Sequence, residues 1–377
     1  MSRGIFFDTF PLVYPTYAAY REAWKNAYIS DPPIPLNIDI ELASVCNLSC
    51  PMCFYGEAEW NAEMSKPATD GKPKKRLMPT EMALSVIDQA AEIGVPALKF
   101  NWRGESTMHP DYSEILEYAR SWAVMQKLVR NSNPYPSTLS SEFGEWKQMQ
   151  MTLKPDGKPY VFRTRIRQAF HEILVNTNAN CKDHAIDGLM AATKCMVSLD
   201  STIPEIYAVQ RKGGRLERAI EVIKELIRRK HPNLWIRRVI TKENSHESFK
   251  KRVDEIFGGT GYKVSEHHCM DRGDGIHQTH NPEKYERTYC GYPSQRIMVA
   301  SDGTCYPCCV DTDGTMSMGD FKKQNLLEIW NGEHFKRLRI ELRGNEFSSK
   351  ICRKCESWMS YKSEFRNNVQ DKEITDG

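Results

Sequence analysis

A short run of cysteines early in the chain offers the clearest chemistry. Cys46, Cys50 and Cys53 are the three thiols of the segment CNLSCPMC. A structural zinc takes four nitrogen or sulfur ligands, whereas a four-iron cluster held by three thiolates leaves one iron open to an outside ligand. The spacing therefore favours a reactive iron-sulfur cluster, and the alternatives are a zinc site or buried free cysteines.

A second group of cysteines lies near the C-terminus. Twelve residues separate Cys290 from Gly303, four more separate Gly303 from Cys308, and Cys352 and Cys355 form a CxxC pair. Four thiolates suit a fully ligated iron-sulfur cluster or a zinc ribbon, and spacing alone does not choose between them. Buried inert thiols are the default interpretation of the remaining five: Cys181, Cys195, Cys269, Cys305 and Cys309.

The first cysteine group must follow a strand. Ile38, Ile40 and Leu42 alternate with Asp39 and Glu41, which is the period-two pattern of a strand. Other strands are predicted at 97–102, 172–176, 194–199, 234–240 and 262–266, with helices between them. The cysteines therefore lie on the loop after the first strand.

Alternating strands and helices over about 230 residues imply a parallel sheet wrapped by helices, with ligands at the carboxyl ends of the strands. Residues 1–36 indicate an irregular lead-in. The segment 122–170 is far longer than the usual connection of about 2 to 6 residues. It is predicted to be an insertion, or to contain a further strand at 124–130. From about Gly273 turns and cysteines dominate, which predicts a second module.

CxxxCxxC on the loop after the first strand resembles the radical S-adenosylmethionine (SAM) superfamily, over about residues 36–360. The resemblance implies an α/β fold, with a partial (β/α)6 barrel at 37–272 and a small twitch/SPASM-like cluster domain at 273–377. In this family an electron from the cluster splits SAM into methionine and a 5′-deoxyadenosyl radical, which takes a hydrogen atom from the substrate. The expected cofactors are therefore SAM and a catalytic [4Fe-4S] cluster at Cys46, Cys50 and Cys53.

C-x12-G-x4-C resembles the opening of SPASM and twitch modules, which hold auxiliary clusters. No cysteine follows Cys355, so the resemblance is to the shorter twitch type. It implies one auxiliary [4Fe-4S] cluster, with Cys290, Cys308, Cys352 and Cys355 as its ligands.

Gly104 and Glu105, after the second strand, resemble the family's Gly-Gly-Glu motif, with Arg103 where the first glycine often lies. A carboxylate there can accept hydrogen bonds from the SAM ammonium group, and glycine lets the backbone approach closely. A simple turn is the alternative. Met52 stands where the family often has an aromatic residue before the third cysteine, so Tyr55 is the candidate for the adenine contact.

Polar residues at the ends of strands three and four resemble the family's ribose-contacting segments. These are Asn176 in the third strand, and Ser198 and Asp200 in the fourth, although such residues also commonly cap helices. Arg211 is where related enzymes place a cation near the SAM carboxylate, and a solvated helix-end arginine is the alternative.

Relatives of this architecture include sugar or aminoglycoside dehydrogenases and epimerases, peptide-modifying enzymes and the molybdopterin cyclase. We expect a small polar substrate, such as a sugar or aminocyclitol, because no separate peptide-recognition domain is evident before residue 36. A peptide or protein substrate is the alternative, and a non-catalytic zinc or iron-sulfur binding protein is the alternative of another class. Cys269, after the last predicted strand, is a candidate hydrogen donor, and that role would favour epimerisation over dehydrogenation.

Composition limits the other classes of function. The chain has 377 residues, of which 40% are hydrophobic and 27% charged, which allows one large domain and a smaller one. A net charge of +3 is too mild to indicate a nucleic-acid surface. No secretory signal or membrane span is evident. We therefore expect a cytoplasmic enzyme whose twelve cysteines are ligands or thiols, with a reductant such as flavodoxin or ferredoxin as partner.

Overall fold

The structure is a computed structural model, which describes residues 13–67, 74–127, 146–153, 159–268, 289–355 and 358. Its strands are β1 (Asn37–Ile40), β2 (Ala97–Lys99), β3 (Ala123–Lys127), β4 (Trp146–Leu153), β5 (Pro159–Gln168), β6 (Glu172–Thr177), β7 (Lys194–Ser198), β8 (Leu234–Ile240), β9 (Lys263–His268), β10 (Arg296–Val299), β11 (Thr304–Tyr306) and β12 (Gly319–Asp320). Its helices are α1 (Tyr17–Ser30), α2 (Ala58–Ser65), α3 (Thr80–Glu92), α4 (Tyr112–Ser121), α5 (Ala185–Ala191), α6 (Pro204–Gln210), α7 (Leu216–Arg228), α8 (Phe249–Phe257), α9 (Leu326–Trp330), α10 (Glu333–Arg343) and α11 (Lys350–Lys354).

One sheet of nine strands organises the molecule, in the order β12-β11-β10-β1-β2-β6-β7-β8-β9. The six strands from β1 to β9 in this order are mutually parallel and are joined by helices. They are the strands that the sequence predicted, so the α/β fold of the partial-barrel type is confirmed. Their carboxyl ends meet at one edge, where the cysteine loop after β1 also begins.

The C-terminal part of the chain joins the same sheet, which the sequence did not predict. β10 pairs in parallel with β1, with Asn37 opposite Arg296 and Ile40 opposite Val299. β11 and β12 then add antiparallel strands outside it. The C-terminal cysteines are thereby anchored beside the strand that carries the first cysteine group.

Strand β1 is buried on both faces, as is usual for a strand inside a parallel sheet. Ile38 and Ile40 belong to the main hydrophobic core, which includes Val86 and Ile87 of α3. The alternate residues, such as Asp39, are also inaccessible. Buried polar groups need partners, so this second face is where polar contacts concentrate.

Residues 17–30 of the predicted irregular lead-in form helix α1 instead. The side chain of Thr16 caps it by accepting a hydrogen bond from the backbone N–H of Ala19 (3.1 Å). Tyr20 is buried and stacks on His171, which precedes β6. The Trp24 carbonyl accepts a hydrogen bond from the Gln295 side chain beside β10 (2.9 Å). Aromatic residues at helical spacing thus pack the helix against the sheet, and the nearby prolines obscured this pattern.

The predicted insertion contains a separate antiparallel sheet, in the order β3-β5-β4. β3 overlaps residues 124–130, where a further strand was the alternative prediction from the sequence. It pairs with β5 rather than with a strand of the main sheet, with Val124 opposite Arg167. No helix in the described part of the chain is long and apolar enough to cross a membrane.

Candidate active site and auxiliary cluster site

The loop after β2 lies directly against the loop after β1, and Gly104 makes this possible. Its φ is +69°, and a Cβ added there would lie 2.4 Å from the carbonyl oxygens of both Ala43 and Val45. The backbone N–H of Glu105 donates to the Val45 carbonyl at 2.8 Å. Only glycine fits this position, because it has no Cβ and adopts positive φ readily. The predicted Gly-Glu motif therefore touches the cysteine loop.

Cys46, Cys50 and Cys53 interact electrostatically with one another on this loop. Burial raises the pKa of the Cys46 thiol to about 12, and the negative charges of Glu105, Cys50 and Cys53 add to the rise. Such thiols give up their protons to a bound cation, which is the donor chemistry that an iron-sulfur cluster requires. Within the described residues, no three Cys, His, Asp or Glu side chains are already arranged as metal ligands.

The Glu105 carboxylate is buried and held by the neighbouring loops. Its Oε1 accepts hydrogen bonds from the Thr107 hydroxyl (2.7 Å), the Thr177 hydroxyl (2.9 Å) and the Thr107 N–H (3.3 Å). Its Oε2 accepts one, from the backbone N–H of Asn178 at 2.8 Å. Burial raises the pKa of Glu105, and these four hydrogen bonds oppose the rise. An oxygen with one donor can accept another, so Oε2 can take a ligand's N–H group.

Two asparagines extend this polar surface from the end of β6. The Asn178 amide donates to the Asn47 side chain (2.9 Å) and lies 4.0 Å from the Cys46 sulfur. Asn176 donates to the Asn101 side chain (3.2 Å), while its own Oδ1 is buried without a donor among the described residues. An orphaned buried acceptor indicates a ligand donor, such as a sugar hydroxyl. The sequence predicted Asn176 as a contact residue but did not single out Asn178, which lies in the same predicted segment, one residue beyond β6.

Arg211 lies between a carboxylate and a cysteine with only 12% of its side chain exposed, which disfavours the solvated helix-end alternative. Its Nε lies 2.7 Å from Asp200 Oδ2, without hydrogen-bond alignment, and its Nη1 is 3.8 Å from the Cys50 sulfur. Asp200 Oδ1 accepts the Val239 N–H at 2.8 Å. Both carboxylate oxygens of Asp200 therefore already have a neighbour, Oδ2 in Arg211 and Oδ1 in β8. Ser198, at the end of β7, makes no side-chain hydrogen bond to the described residues.

Tyr55 belongs to an apolar cover over the cysteine loop. It packs with Phe54, Trp60 and Met64 against Cys46 and Cys53. Its hydroxyl donates to the Ser44 carbonyl at 2.6 Å, which fixes the ring. Its role in an adenine contact stays a prediction.

Arg103 forms a contact that the sequence did not reveal. Its guanidinium makes two hydrogen bonds to the Glu41 carboxylate, at 2.6 and 2.9 Å, and a third to the Thr312 carbonyl at 3.2 Å. Glu41 also accepts the Ser301 N–H at 3.0 Å. The residue in place of the family's glycine thus ties the end of β1 to the C-terminal domain.

The four C-terminal cysteines that were predicted as ligands line one largely apolar cavity: Cys290, Cys308, Cys352 and Cys355. Burial raises the pKa of Cys290 to about 12, and the neighbouring cysteines add to the rise. A bound metal cluster would supply the missing positive charge. The donor set therefore fits a fully ligated cluster.

The remaining cysteines divide by position. Cys181 and Cys195 are core residues, and Cys305 is fully buried with its sulfur toward the Gly303 carbonyl. Cys309 interacts electrostatically with Cys290 and Cys308 but packs with Trp102 and Tyr306. Cys269 lies outside the described residues, and its hydrogen-donor role stays a prediction.

Known proteins are similar to this chain in its C-terminal region and over most of its length. Residues 290–356 match the SPASM family, an iron-sulfur cluster-binding domain. The PqqA peptide cyclase of Xanthomonas campestris pv. campestris is 22% identical over 342 residues, covering 87% of this chain and 81% of that protein. Native anSMEcpe with bound AdoMet and Cp18Cys peptide matches with a TM-score of 0.51 and 14% identity, over 85% of this chain and 86% of that one. BtrN in complex with AdoMet and 2-DOIA matches with a TM-score of 0.49 and 14% identity, over 86% and 93% of the two chains.

The SPASM match, the likeness to PqqA peptide cyclase and the fold shared with the anSMEcpe structure support the resemblance to radical SAM enzymes that the cysteine spacing indicated. The C-terminal part of the chain is a SPASM domain. The same similarities support SAM and [4Fe-4S] clusters, including an auxiliary one, as the cofactors.

Replacing Glu105 with Gln is expected to weaken SAM binding by about tenfold or more. A charge-assisted contact to the SAM ammonium group is worth about 1.5 to 3 kcal/mol. Equilibrium dialysis with labelled SAM measures the affinity. Thr177→Val is the control, because it removes one hydrogen bond to the same carboxylate and keeps the charge. The Thr177→Val variant should lose less SAM affinity than Glu105→Gln. Unchanged affinity in Glu105→Gln would indicate that Glu105 has a structural role instead.

Replacing Cys352 with Ala is expected to remove the auxiliary cluster and leave the catalytic one. Iron content should fall from about eight per chain toward about four, because two four-iron clusters are expected in the parent protein. Iron and zinc analysis of the anaerobically reconstituted protein measures this, with the core variant Cys181→Ala as control. One zinc with about four irons in the parent would mean that the C-terminal group is a zinc ribbon.

Proposed function

We propose that this chain binds SAM against the loop of Cys46, Cys50 and Cys53, and uses it to abstract a hydrogen atom from a peptide. The contact that supports this most directly is the one between the two loops at Gly104. It brings Glu105, whose backbone N–H bonds to the Val45 carbonyl, next to the start of the cysteine loop at Cys46. An amino acid that chelates an open iron needs the cluster ligands and a carboxylate for its ammonium group in the same site.

Each proposed side chain has a defined task in binding. Glu105, fixed by four hydrogen bonds, receives the SAM ammonium group at Oε2. Arg211 presents a largely shielded cation next to Cys50 for the SAM carboxylate, while Asp200 orients it. Asn176 offers its free Oδ1 to a ribose hydroxyl. When bound, SAM and the catalytic cluster supply a 5′-deoxyadenosyl radical for hydrogen abstraction.

A peptide is favoured as the substrate by the likeness to PqqA peptide cyclase, which spans most of both chains. The name of that protein states a peptide substrate, and anSMEcpe was solved with a peptide bound. The expected small polar substrate stays a prediction, as does the choice between epimerisation and oxidation. A flavodoxin or ferredoxin remains the proposed reductant.

The substrate class can be tested through release of 5′-deoxyadenosine. The reconstituted enzyme is reduced with dithionite and given SAM with an extract of its native cells, separated into peptides and small metabolites. We expect the peptide fraction to stimulate 5′-deoxyadenosine release and protease treatment to abolish the stimulation. Stimulation by the metabolite fraction, insensitive to protease, would instead support the small polar substrate. No 5′-deoxyadenosine under any condition would leave the non-catalytic alternative.

A further inference from the structure

Lys75 lies beside the apolar cover of the cysteine loop. Its ammonium is 4.9 Å from the ring centre of Tyr55 and 5.3 Å from that of Trp60. It also hydrogen-bonds to the Asn61 side chain, and its backbone N–H donates to the Met64 carbonyl at 3.1 Å. Aromatic faces attract a cation, so these contacts hold the charge in place.

Among the described residues, Lys75 differs from the other cations near this loop because no carboxylate neutralises its charge. Arg103 is paired with Glu41, and Arg211 with Asp200. In the described part of the chain no carboxylate lies within ion-pair distance of Lys75. The two rings that hold the ammonium pack against Cys46 and Cys53, so the charge lies next to the cysteine loop.

We propose that Lys75 is a positioning residue that raises the reduction potential of the catalytic cluster through its uncompensated positive charge. One-electron reduction makes a cluster more negative, and a nearby cation stabilises the reduced form relative to the oxidised form. The interaction is stronger beside apolar rings than in water, because the local dielectric is lower. The electron itself comes from the external reductant. This inference rests on the proposed cluster at Cys46, Cys50 and Cys53.

The test is a spectroscopic redox titration of both clusters in the reconstituted full-length protein. In Lys75→Met the catalytic cluster should have a more negative midpoint potential than in the parent, while the auxiliary cluster keeps its own. Lys75→Arg should keep the midpoint potential of the parent, because arginine retains the positive charge. Lys74→Gln is the matched control, because Lys74 is adjacent but paired with Glu63 at 2.7 Å. It should leave both potentials unchanged.

Three outcomes would overturn the inference. They are an unchanged catalytic potential in Lys75→Met, an equal shift in Lys74→Gln, or an equal shift in Lys75→Arg. Thermal unfolding and auxiliary iron content of each variant exclude a general loss of structure. Failure of the proposed function has a different signature, since the parent protein would then show no SAM-responsive cluster to titrate.

Discussion

The variant in which Cys46, Cys50 and Cys53 are all replaced by Ala is expected to lose SAM cleavage completely. These thiols are the proposed ligands of the cluster whose open iron binds SAM, so no reduced cluster remains to transfer an electron to it. The C-terminal cysteines line a separate cavity and should keep their cluster. Iron content should therefore fall by about half, as expected when one of two four-iron clusters is lost.

A matched control separates ligand loss from thiol loss. Cys181 and Cys195 are buried in the barrel core, and replacing both with Ala removes two thiols without touching the loop. This variant should retain cleavage, measured as 5′-deoxyadenosine released after dithionite reduction. Cleavage that persists in the triple variant would refute the assignment of the three ligands. Equal loss in the control would indicate a folding defect instead.

Gly104→Ala is expected to abolish SAM binding and to destabilise the fold. The new Cβ would lie 2.4 Å from two backbone carbonyl oxygens, on Ala43 and Val45, so the loops after β1 and β2 must separate. Separation moves Glu105, the next residue, away from the cysteine loop. The positive φ adds about 1 to 2 kcal/mol of strain for a residue with a Cβ. Equilibrium dialysis and thermal unfolding measure the two effects.

Gly258 offers the control for this change. It also has a positive φ, +84°, but nothing lies within 4 Å of an added Cβ. Gly258→Ala therefore reports the conformational strain alone, and we expect it to lower stability modestly and leave SAM affinity unchanged. If Gly104→Ala bound SAM like the parent, the contact between the loops would not be needed for the site.

The sequence by itself determined the elements and the kinds of ligand. The alternation around Ile38 and Ile40 predicted β1, and helices were predicted between the strands, where the structure has them. Cysteine spacing predicted the first metal group, because Cys46, Cys50 and Cys53 lie within one short loop. The four cysteines of the second group are spread over residues 290–355, and the fold brings them to one cavity. Glu105 followed from its position after a predicted strand.

Tertiary structure alone decided which distant groups meet. Arg103 pairs with Glu41 across 62 residues, and the Asn178 N–H reaches Glu105 across 73. β10 lies beside β1, although much of the chain separates them. Such contacts leave no periodic signal in the sequence, because they depend on how the helices and strands pack. For the same reason the sequence could show that Lys75 is a cation, while only the fold places its ammonium against the Tyr55 ring.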